Sequence, residues 1–424
     1  MTAQTTDRRR RLHRAWLVAA VAFVAILGAA GFRATPAVLI TPLEQEFGWT
    51  RGTISLAVSV NLVLYGLTAP FAAALMDRFG MRRVVSFALL LVAVGSGLTV
   101  FMGASWQLVL CWGVLVGLGT GSMALVFVAT VTDRWFVRHR GIVTGLLTAA
   151  GATGQLVFLP VLAWLAEGPG WRAASLTVSG AALVVVPLVW WLLRDHPEDV
   201  GTTALGAEPG RVSRIRPPAE NAAVRALTVL RSAAGTRPFW FLAGGFAICG
   251  ASTNGLVGTH FIPAAHDHGM PQATAAWLLA LIGIFDIAGT VLSGWLSDRI
   301  DPKILLVVYY VLRGLSLMVL PSLFTADAEP SMLIFIIFYG LDWVATVPPT
   351  VALCRRVYGA DGAVVFGWVF GSHQVGAAIA AVAAGLTRDH LGGYDLAWYG
   401  AGVLCLLAAG MSLAIRHAGQ RERV

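Results

Sequence analysis

Four charged side chains lie within long apolar runs, where a charge is rare: Arg33, Asp286, Arg313 and Asp342. A run of roughly 20 apolar residues is long enough to cross a lipid bilayer as a helix. A charged side chain on such a helix costs roughly 2.5–3.5 kcal/mol even on the scale that penalises it least. We therefore expect each of the four to face an opposite charge, a water-filled cavity or a bound substrate.

Arg33 is the candidate anion-binding residue. A guanidinium stays protonated and can hold a carboxylate through two parallel hydrogen bonds. The first apolar run contains no acidic residue, and Pro36, three residues on, disrupts the local helix. We expect Arg33 to contact a substrate carboxylate. The alternative is a structural ion pair with Asp286 or Asp342, and both roles coexist if that pair opens when substrate arrives.

The two acids are candidate proton sites. Asp286 falls near the centre of the eighth apolar run, where desolvation favours the neutral acid. Such a group can load and release a proton as water access alternates between the two sides. Asp342 is either a second proton site or a structural partner. For Arg313 we expect a structural ion pair with Asp342 or Asp286.

Other polar residues within the apolar runs are candidates for binding or proton relay. His260, near the end of the seventh run, can act in gating or relay; the alternative is an interfacial histidine that water satisfies. His373 and Gln374 share the eleventh run and can donate hydrogen bonds to an anion. The remaining candidates either line a cavity or join helices by hydrogen bonds. They are Asn61, Tyr65, Gln155 and Asn254.

An all-α bundle of twelve membrane helices is the predicted scaffold for these residues. The 424-residue chain is 57% hydrophobic and only 12% charged, whereas soluble domains carry about 25% charged residues. Twelve apolar runs are each long enough to cross a hydrocarbon core of about 30 Å. They lie at approximately 15–40, 53–74, 84–102, 106–130, 142–166, 174–193, 239–262, 274–297, 304–323, 331–353, 364–386 and 394–415.

The twelve runs form two groups of six, separated by a segment without a long apolar run. This segment is rich in Pro, Gly, Ala and Arg, which predicts a flexible or partly amphipathic linker. The predicted organisation is a tail, a six-helix half, the linker, a second six-helix half and a second tail. These parts correspond to residues 1–14, 15–193, 194–238, 239–416 and 417–424.

The net charge of +8 does not indicate a nucleic-acid partner, because its distribution follows the predicted topology. With an even number of spans, both termini and the even-numbered connections share one side. That side carries 25 of the 30 basic residues; the others are Arg33, Arg51, Arg172, Arg313 and Arg388. By the positive-inside rule the crowded side is cytoplasmic. Arginine outnumbers lysine 29 to 1, which is typical of a GC-rich bacterial genome and favours a bacterial plasma membrane.

A charged turn after the second apolar run recurs in the second half of the chain. The two copies, Ala73–Arg83 and Gly294–Lys303, share the pattern small-x-x-x-Asp-Arg at a separation of 221 residues. An echo at half the chain length predicts two halves of similar build. The loop residues that we expect to act in gating are Asp77, Arg78, Gly80, Arg82, Arg83, Asp298 and Arg299.

The first copy resembles the loop after the second helix of major facilitator superfamily transporters, with Ala73 where the family has Gly. The second copy departs further and has Asp301 at a family glycine. The resemblance implies two six-helix halves that alternate access around a midplane site. It also implies that the loop latches the halves on the cytoplasmic side and favours the outward-open state. In that latch Asp77 would cap the start of the eleventh helix, and Gly80 allows the tight turn.

Further motifs resemble the monocarboxylate-transporter-like and oxalate–formate branches of that superfamily over nearly the whole chain. They are Gly31–Pro36, Arg138–Gly154, Pro197–Gly201, His260–Pro263 and Phe285–Asp286. In the resembling carriers a cation near the position of Arg33 contacts the substrate carboxylate. Their eighth helix bears Asp followed four residues later by Arg, whereas this chain has Thr290 there. The ninth helix is peripheral in that fold, which favours a structural pair for Arg313.

These observations predict a secondary active transporter that moves a small monocarboxylate or related organic anion together with protons. One alternative is proton-driven efflux of drugs or amphiphiles, although the fifth run lacks the Gly-Pro motif of drug antiporters. Another is anion exchange without protons, and a third is a sensor or scaffold that binds a ligand without moving it.

An enzyme is not expected, because the chain has no His-Glu-x-x-His or Gly-x-Ser-x-Gly motif. The four cysteines lie in apolar runs at no metal-ligand spacing, so neither a metal nor another cofactor is predicted. The expected partners are the organic anion, protons and membrane lipid. We expect a monomer with both termini in the cytoplasm.

Overall fold

The computed structural model describes residues 13–207, 222–297 and 299–415, and its helices follow the predicted apolar runs. Within these ranges we number twelve helical spans in chain order. Ten helical runs among the described residues are long and apolar enough to cross a membrane. The other two of the twelve spans, the second and the fifth, are helices of comparable length, with 29 and 28 residues. The prediction of an all-α membrane bundle is confirmed.

The first half contains the first six spans. Four of them, the second, third, fifth and sixth, are single helices, and the fourth is assembled from several pieces, one of them π-helical. The bounds are Arg14–Ala34 continued by Pro36–Phe47, then Arg51–Phe79, then Met81–Leu98, then Ser105–Leu108, Val109–Val116, Gly117–Gly121 and Leu125–Trp135 for the fourth span, then Arg140–Glu167 and Trp171–Leu192.

The second half begins after a connector that contains one helix, Ala222–Ala234. Its spans are Arg237–Gly250 continued by Ala251–Val257 and Gly258–Asp267, then Gln272–Ser297, Pro302–Val319, Pro330–Asp342 continued by Val347–Tyr358, Gly362–Leu391 and Asp395–Ala414. The first and seventh spans extend beyond their predicted ends at residues 40 and 262, because polar residues continue both helices past the apolar run.

The two halves repeat the same packing arrangement. In the first half the first span packs on the fifth, the third on the sixth and the second on the fourth. The corresponding pairs of the second half are the seventh and eleventh, the ninth and twelfth, and the eighth and tenth. The halves meet along the second and eleventh spans and along the fifth and eighth. This repetition is what the duplicated loop in the sequence predicts.

Glycines at four-residue spacing seat the fourth span against the second. A Cβ atom built on Gly117 would lie 3.0 Å from the Asn61 Cα, and one on Gly121 would lie 2.9 Å from the Tyr65 Cα. Small residues permit such close approach of helix backbones in lipid, where hydrophobicity does not drive association. The packing fixes the second span, and with it the position of Tyr65.

Prolines interrupt two spans at the points where charged residues lie. The first helix ends at Ala34, directly after Arg33, and the next begins at Pro36. The tenth span ends its first piece at Asp342 and resumes at Val347, which precedes two prolines. A proline lacks the N–H that would continue the helical hydrogen bonds, so backbone groups are freed at each break.

Candidate functional site

Arg33 lines a small cavity inside the first half, with a volume of ≈ 70 Å³. This volume exceeds the ~10–15 Å³ that a single water molecule requires. The cavity lies between the first, second, fourth and fifth spans. Its lining residues are Ile26, Ala29, Ala30, Arg33, Tyr65, Thr120, Met123, Ala124, Val128, Leu147, Thr148 and Gly151.

The Arg33 guanidinium is stacked on the ring of Tyr65, with its central carbon 4.5 Å from the ring centroid. This cation–π contact orients the guanidinium without using its hydrogen-bond donors. No acid is among the residues described as lining the cavity. The expected alternative, a pair with Asp286 or Asp342, is not found among the described ion pairs. The arrangement therefore leaves a cation able to bind an anion.

Aromatic rings connect Tyr65 to the second half of the protein. The Tyr65 ring lies 6.4 Å from that of Phe370, which stacks on His373 at 5.9 Å. His373 is also 4.9 Å from Phe246. The His373 Nδ1 and the Gln374 Oε1 are buried, and neither has a hydrogen-bond partner among the described residues. Gln374 packs against Gly66 of the second span at the boundary between the halves, whereas the described contacts of His373 are within the second half. Neither residue is among the described lining of the Arg33 cavity.

Three other predicted lining residues have different surroundings. Asn61 is fully buried and donates from Nδ2 to the Trp112 carbonyl oxygen at 3.0 Å, so it joins the second and fourth spans. Asn254 lies in the π-helical part of the seventh span and is only partly buried. The side chain of Gln155 lies outside the described part of the structure.

Arg313 is the centre of a charge cluster at the break of the tenth span. It is fully buried, and its Nε donates to the Asp342 Oδ2 at 2.6 Å. The same guanidinium donates to the carbonyl oxygens of Asp342 and Trp343 and lies 2.9 Å from the Cys249 Sγ. One side chain thus satisfies the carbonyl oxygens that the break frees and neutralises the adjacent carboxylate.

Asp286 contacts the same break from the eighth span. Its Oδ1 accepts hydrogen bonds from the Thr290 hydroxyl at 2.9 Å and from the Val344 N–H at 3.0 Å. Only 7% of Asp286 is exposed. Thr290, the residue that replaces the arginine of the resembling carriers, is therefore a hydrogen-bond donor to the acid. Asp286 and Asp342 therefore lie at the same helix break, and Asp286 is not among the described residues that line the Arg33 cavity.

A second set of charges joins the two halves on the face opposite to the described chain ends. We call this the opposite face, and the face with residues 13 and 415 the terminal face. The Arg51 guanidinium donates to both carboxylate oxygens of Asp267, at 2.7 and 2.8 Å. Its backbone N–H and that of Gly52 donate to the carboxylate of Asp389, at 3.0 and 2.8 Å. Each of these contacts crosses between the halves.

His260 lies beneath this set of charges and is fully buried. Its Nε2 donates to the Ala381 carbonyl oxygen at 2.8 Å, and its Nδ1 lies 3.2 Å from the Tyr394 hydroxyl. Burial raises the pKa of Tyr394 to about 12, against the opposing effect of Arg51, so the hydroxyl is neutral at physiological pH. His260 is therefore not an interfacial histidine whose hydrogen bonds are made to water. Both of its ring nitrogens contact protein atoms.

Arg51, Asp267 and Asp389 are candidate functional residues that the sequence patterns did not single out. All three lie near the ends of apolar runs, where charged residues are common. The available signal was that Arg51 is one of only three basic residues predicted on the sparsely charged side. A basic residue that opposes the charge asymmetry requires a local partner.

The duplicated loop on the terminal face makes its described contacts within the first half. The Arg82 backbone N–H donates to the Asp195 Oδ1 at 3.0 Å, and its guanidinium is 4.9 Å from the Trp190 ring. Gly80 has φ +87° and approaches Asp195 so closely that no Cβ fits there. The described part of the loop shows no latch to the second half.

The other loop residues add no contact between the halves. Arg78 and Arg299 stack on the rings of Phe79 and Trp295, their own neighbours in sequence, and Arg83 is exposed. The Asp77 side chain and the whole of Asp298 lie outside the described residues. On this face the connector helix contacts both the second and the eleventh spans.

The sequence of this chain is similar to those of known membrane transporters. The family model described as Major Facilitator Superfamily matches residues 18–362 and 251–423. The uncharacterized MFS-type transporter YcxA of Bacillus subtilis (strain 168) is 26% identical over 407 residues, which cover 94% of this chain and 94% of that protein. Monocarboxylate transporter 13 of Rattus norvegicus is 26% identical over 417 residues, covering 95% of this chain and 89% of that protein.

Two further matches concern a bacterial carrier and a solved structure. The gallate transporter of Pseudomonas putida is 25% identical over 341 residues, which cover 75% of this chain and 73% of that protein. A bacterial homolog of the human lysosomal transporter Spinster, solved in an inward-facing and occupied conformation, has a TM-score of 0.74 at 14% identity. That alignment covers 96% of this chain and 97% of the solved chain.

Proposed function

Because the chain belongs to the Major Facilitator Superfamily, we propose that it carries a small monocarboxylate or related organic anion by alternating access, in symport with protons. The chain is a multi-pass membrane protein, and its homologues are transporters rather than enzymes. The substrate class and the proton coupling are our proposal. Similar proteins named monocarboxylate and gallate transporters support the substrate class.

The single observation that carries the proposal is the Arg33 guanidinium, stacked on Tyr65 in a cavity without a described acid. Arg33 is partly buried within a membrane span, where a cation without a counterion is destabilising, and a carboxylate that binds it reduces this penalty. Most of the lining is aliphatic, so the rest of the ligand is expected to be apolar. The predicted role for Arg33 is therefore two parallel hydrogen bonds to a substrate carboxylate.

Proton coupling is proposed for the charge cluster at the break of the tenth span. Asp286 is the member that is held by neutral donors only, Thr290 and the Val344 N–H. Asp342, in contrast, is neutralised by Arg313. We assign the titratable proton to Asp286 and a structural role to the Arg313–Asp342 pair. Because the Val344 N–H belongs to the break, protonation of Asp286 weakens a contact that holds the two pieces of the tenth span.

The contacts of Arg51 with Asp267 and Asp389 support a conformation that is closed on the opposite face. If the basic termini are cytoplasmic, as the positive-inside rule predicts, this conformation faces inward. Transport then requires that these contacts break while the connector region rearranges. We propose a plasma-membrane protein that acts as a monomer with both termini in the cytoplasm.

The proposal is tested by uptake of radiolabelled C2–C10 monocarboxylates into proteoliposomes, with and without an inward proton gradient. We expect gradient-driven uptake by the wild type and loss of saturable uptake in Arg33→Ala, with partial recovery in Arg33→Lys. Arg231→Gln, on the exposed face of the connector helix, removes a charge far from the cavity and is the matched control. Uptake of an acid by Arg33→Ala at the wild-type rate would exclude the carboxylate site.

A further inference from the structure

The fifth span presents one face to the cavity that contains Arg33. Leu147, Thr148 and Gly151 line the cavity, and residues three and four apart share a face of a helix. Leu147 supplies an apolar wall and Thr148 a hydroxyl. Gly151 contributes no side chain, so the volume beside it is empty space within the lining.

Two glycines of this helix have opposite surroundings. A Cβ atom built on Gly154 would lie 2.5 Å from the Leu27 carbonyl oxygen, so the fifth span is pressed against the first at that point. A Cβ atom built on Gly151 would meet no heavy atom of the described residues within 4 Å. Close packing thus explains Gly154 and does not explain Gly151.

Neither packing nor backbone conformation requires a glycine at position 151. It lies in the interior of the helix Arg140–Glu167, where glycine is less favourable than alanine because it loses more backbone freedom on folding. Its helical conformation does not require a glycine, and the positive-φ glycines of the described chain lie elsewhere. What the missing side chain does provide is room in the cavity that Arg33 also lines.

We infer that Gly151 is a specificity-determining residue that sets how long an acid the site accepts when the acid's carboxylate is bound to Arg33. The inference rests on the proposed function of the Arg33 cavity and adds the substrate property that is selected, namely the length of an unbranched apolar tail. The tail lies among Ile26, Ala30 and Leu147 and ends in the space beside Gly151. A side chain at position 151 occupies that space and excludes the longer acids.

The test is a substitution series at position 151 with a control series on the same helix. Gly151→Ala and Gly151→Leu are compared with Gly145→Ala and Gly145→Leu. Gly145 also has no neighbour within 4 Å of a built Cβ, but it is exposed and does not line the cavity. The two series therefore make the same change in helix propensity and differ in whether the new side chain enters the cavity.

Each purified variant is assayed for proteoliposome uptake of linear C2–C10 monocarboxylates, and binding is measured separately by thermal shift in detergent. In Gly151→Leu we expect little change for the shortest transported acid and a loss that grows with chain length. For the longest acids, the loss is expected to reach roughly 10–200-fold, the discrimination that one methylene gives in a filled pocket. Gly151→Ala should show the same trend to a smaller degree, and both Gly145 variants should keep the wild-type length profile.

The outcomes separate this inference from the proposed function. One contrary outcome is that the wild type transports acids and Gly151→Leu keeps the wild-type length profile. Another is that Gly151→Leu reduces the uptake of every acid by the same factor. In either case Gly151 does not select substrate length. An equal change in the Gly145 variants leads to the same conclusion. If the wild type neither binds nor transports any monocarboxylate, the proposed function fails as well, whatever residue occupies position 151.

Discussion

The Arg51 guanidinium holds both carboxylate oxygens of Asp267 across the boundary between the two halves, at 2.7 and 2.8 Å. The Arg51 side chain is only 4% exposed. Glu44 accepts from its Nε at 2.8 Å, and Asp267 also accepts from the Arg388 Nε at 2.7 Å. Two-point binding between charged partners is stronger and more directional than a single contact. This pair therefore holds the two halves together on the opposite face.

Replacing Arg51 with Gln should shift the protein towards a conformation open on the opposite face. The change leaves Asp267 with Arg388 alone and removes a contact between the halves, which costs roughly 2 kcal/mol or more. The shift is measured as a longer spin-label distance between Gln45→Cys and His390→Cys, which lie on opposite-face segments of different halves. Arg172→Gln is the control, because its partner Glu46 belongs to the same half. Identical distance distributions in the Arg51 variant and the wild type would contradict the closing role.

Breaking the Arg313–Asp342 pair should destabilise the protein strongly. Arg313 is 0% exposed, so Asp342→Leu leaves a buried charge without its partner at a cost of roughly 3–5 kcal/mol. The loss is measured as a lower midpoint of thermal unfolding in detergent. Arg356→Gln is the control, because Arg356 and Asp301 are 3.6 Å apart and both about half exposed, so its effect should lie within ~1 kcal/mol. Equal effects of the two variants would argue against a structural role for the buried pair.

Replacing Asp286 with Asn should uncouple transport from protons without dismantling the site. The amide oxygen still accepts from the Thr290 hydroxyl and the Val344 N–H, but the side chain no longer titrates. We expect Asp286→Asn proteoliposomes to exchange internal for external labelled acid and to lose accumulation driven by a proton gradient. Gradient-driven accumulation at the wild-type level in this variant would move the proton site elsewhere.

Adding one methyl group at Gly154 should destabilise the first half, whereas the same change at Gly151 should not. The Gly154 methyl would meet the Leu27 carbonyl oxygen, which is backbone and cannot rotate away. Overpacking of this kind costs typically 1–3 kcal/mol. Thermal unfolding of Gly154→Ala and Gly151→Ala measures the difference directly. Equal unfolding midpoints would show that the first and fifth spans are less tightly packed than described.

The positions of the spans and the selection of Arg33 as a candidate binding residue follow from the sequence, because both depend on local physical chemistry. A run of apolar residues crosses a bilayer whatever surrounds it, and a charge within such a run needs compensation whatever supplies it. The same reasoning singles out Asp286, Arg313 and Asp342.

The pairing of charges was decided only by the tertiary structure. Arg51 and Asp267 are 216 residues apart, and nothing in either run specifies that their ends meet. Likewise, Asp286 accepts from a backbone N–H of the tenth span, a group that is free only because the prolines break that helix. The empty space beside Gly151 depends on how the first, second, fourth and fifth spans pack around the cavity. Periodicity and composition describe each helix separately, whereas partners, breaks and cavities arise from the rotation and tilt of one helix against another.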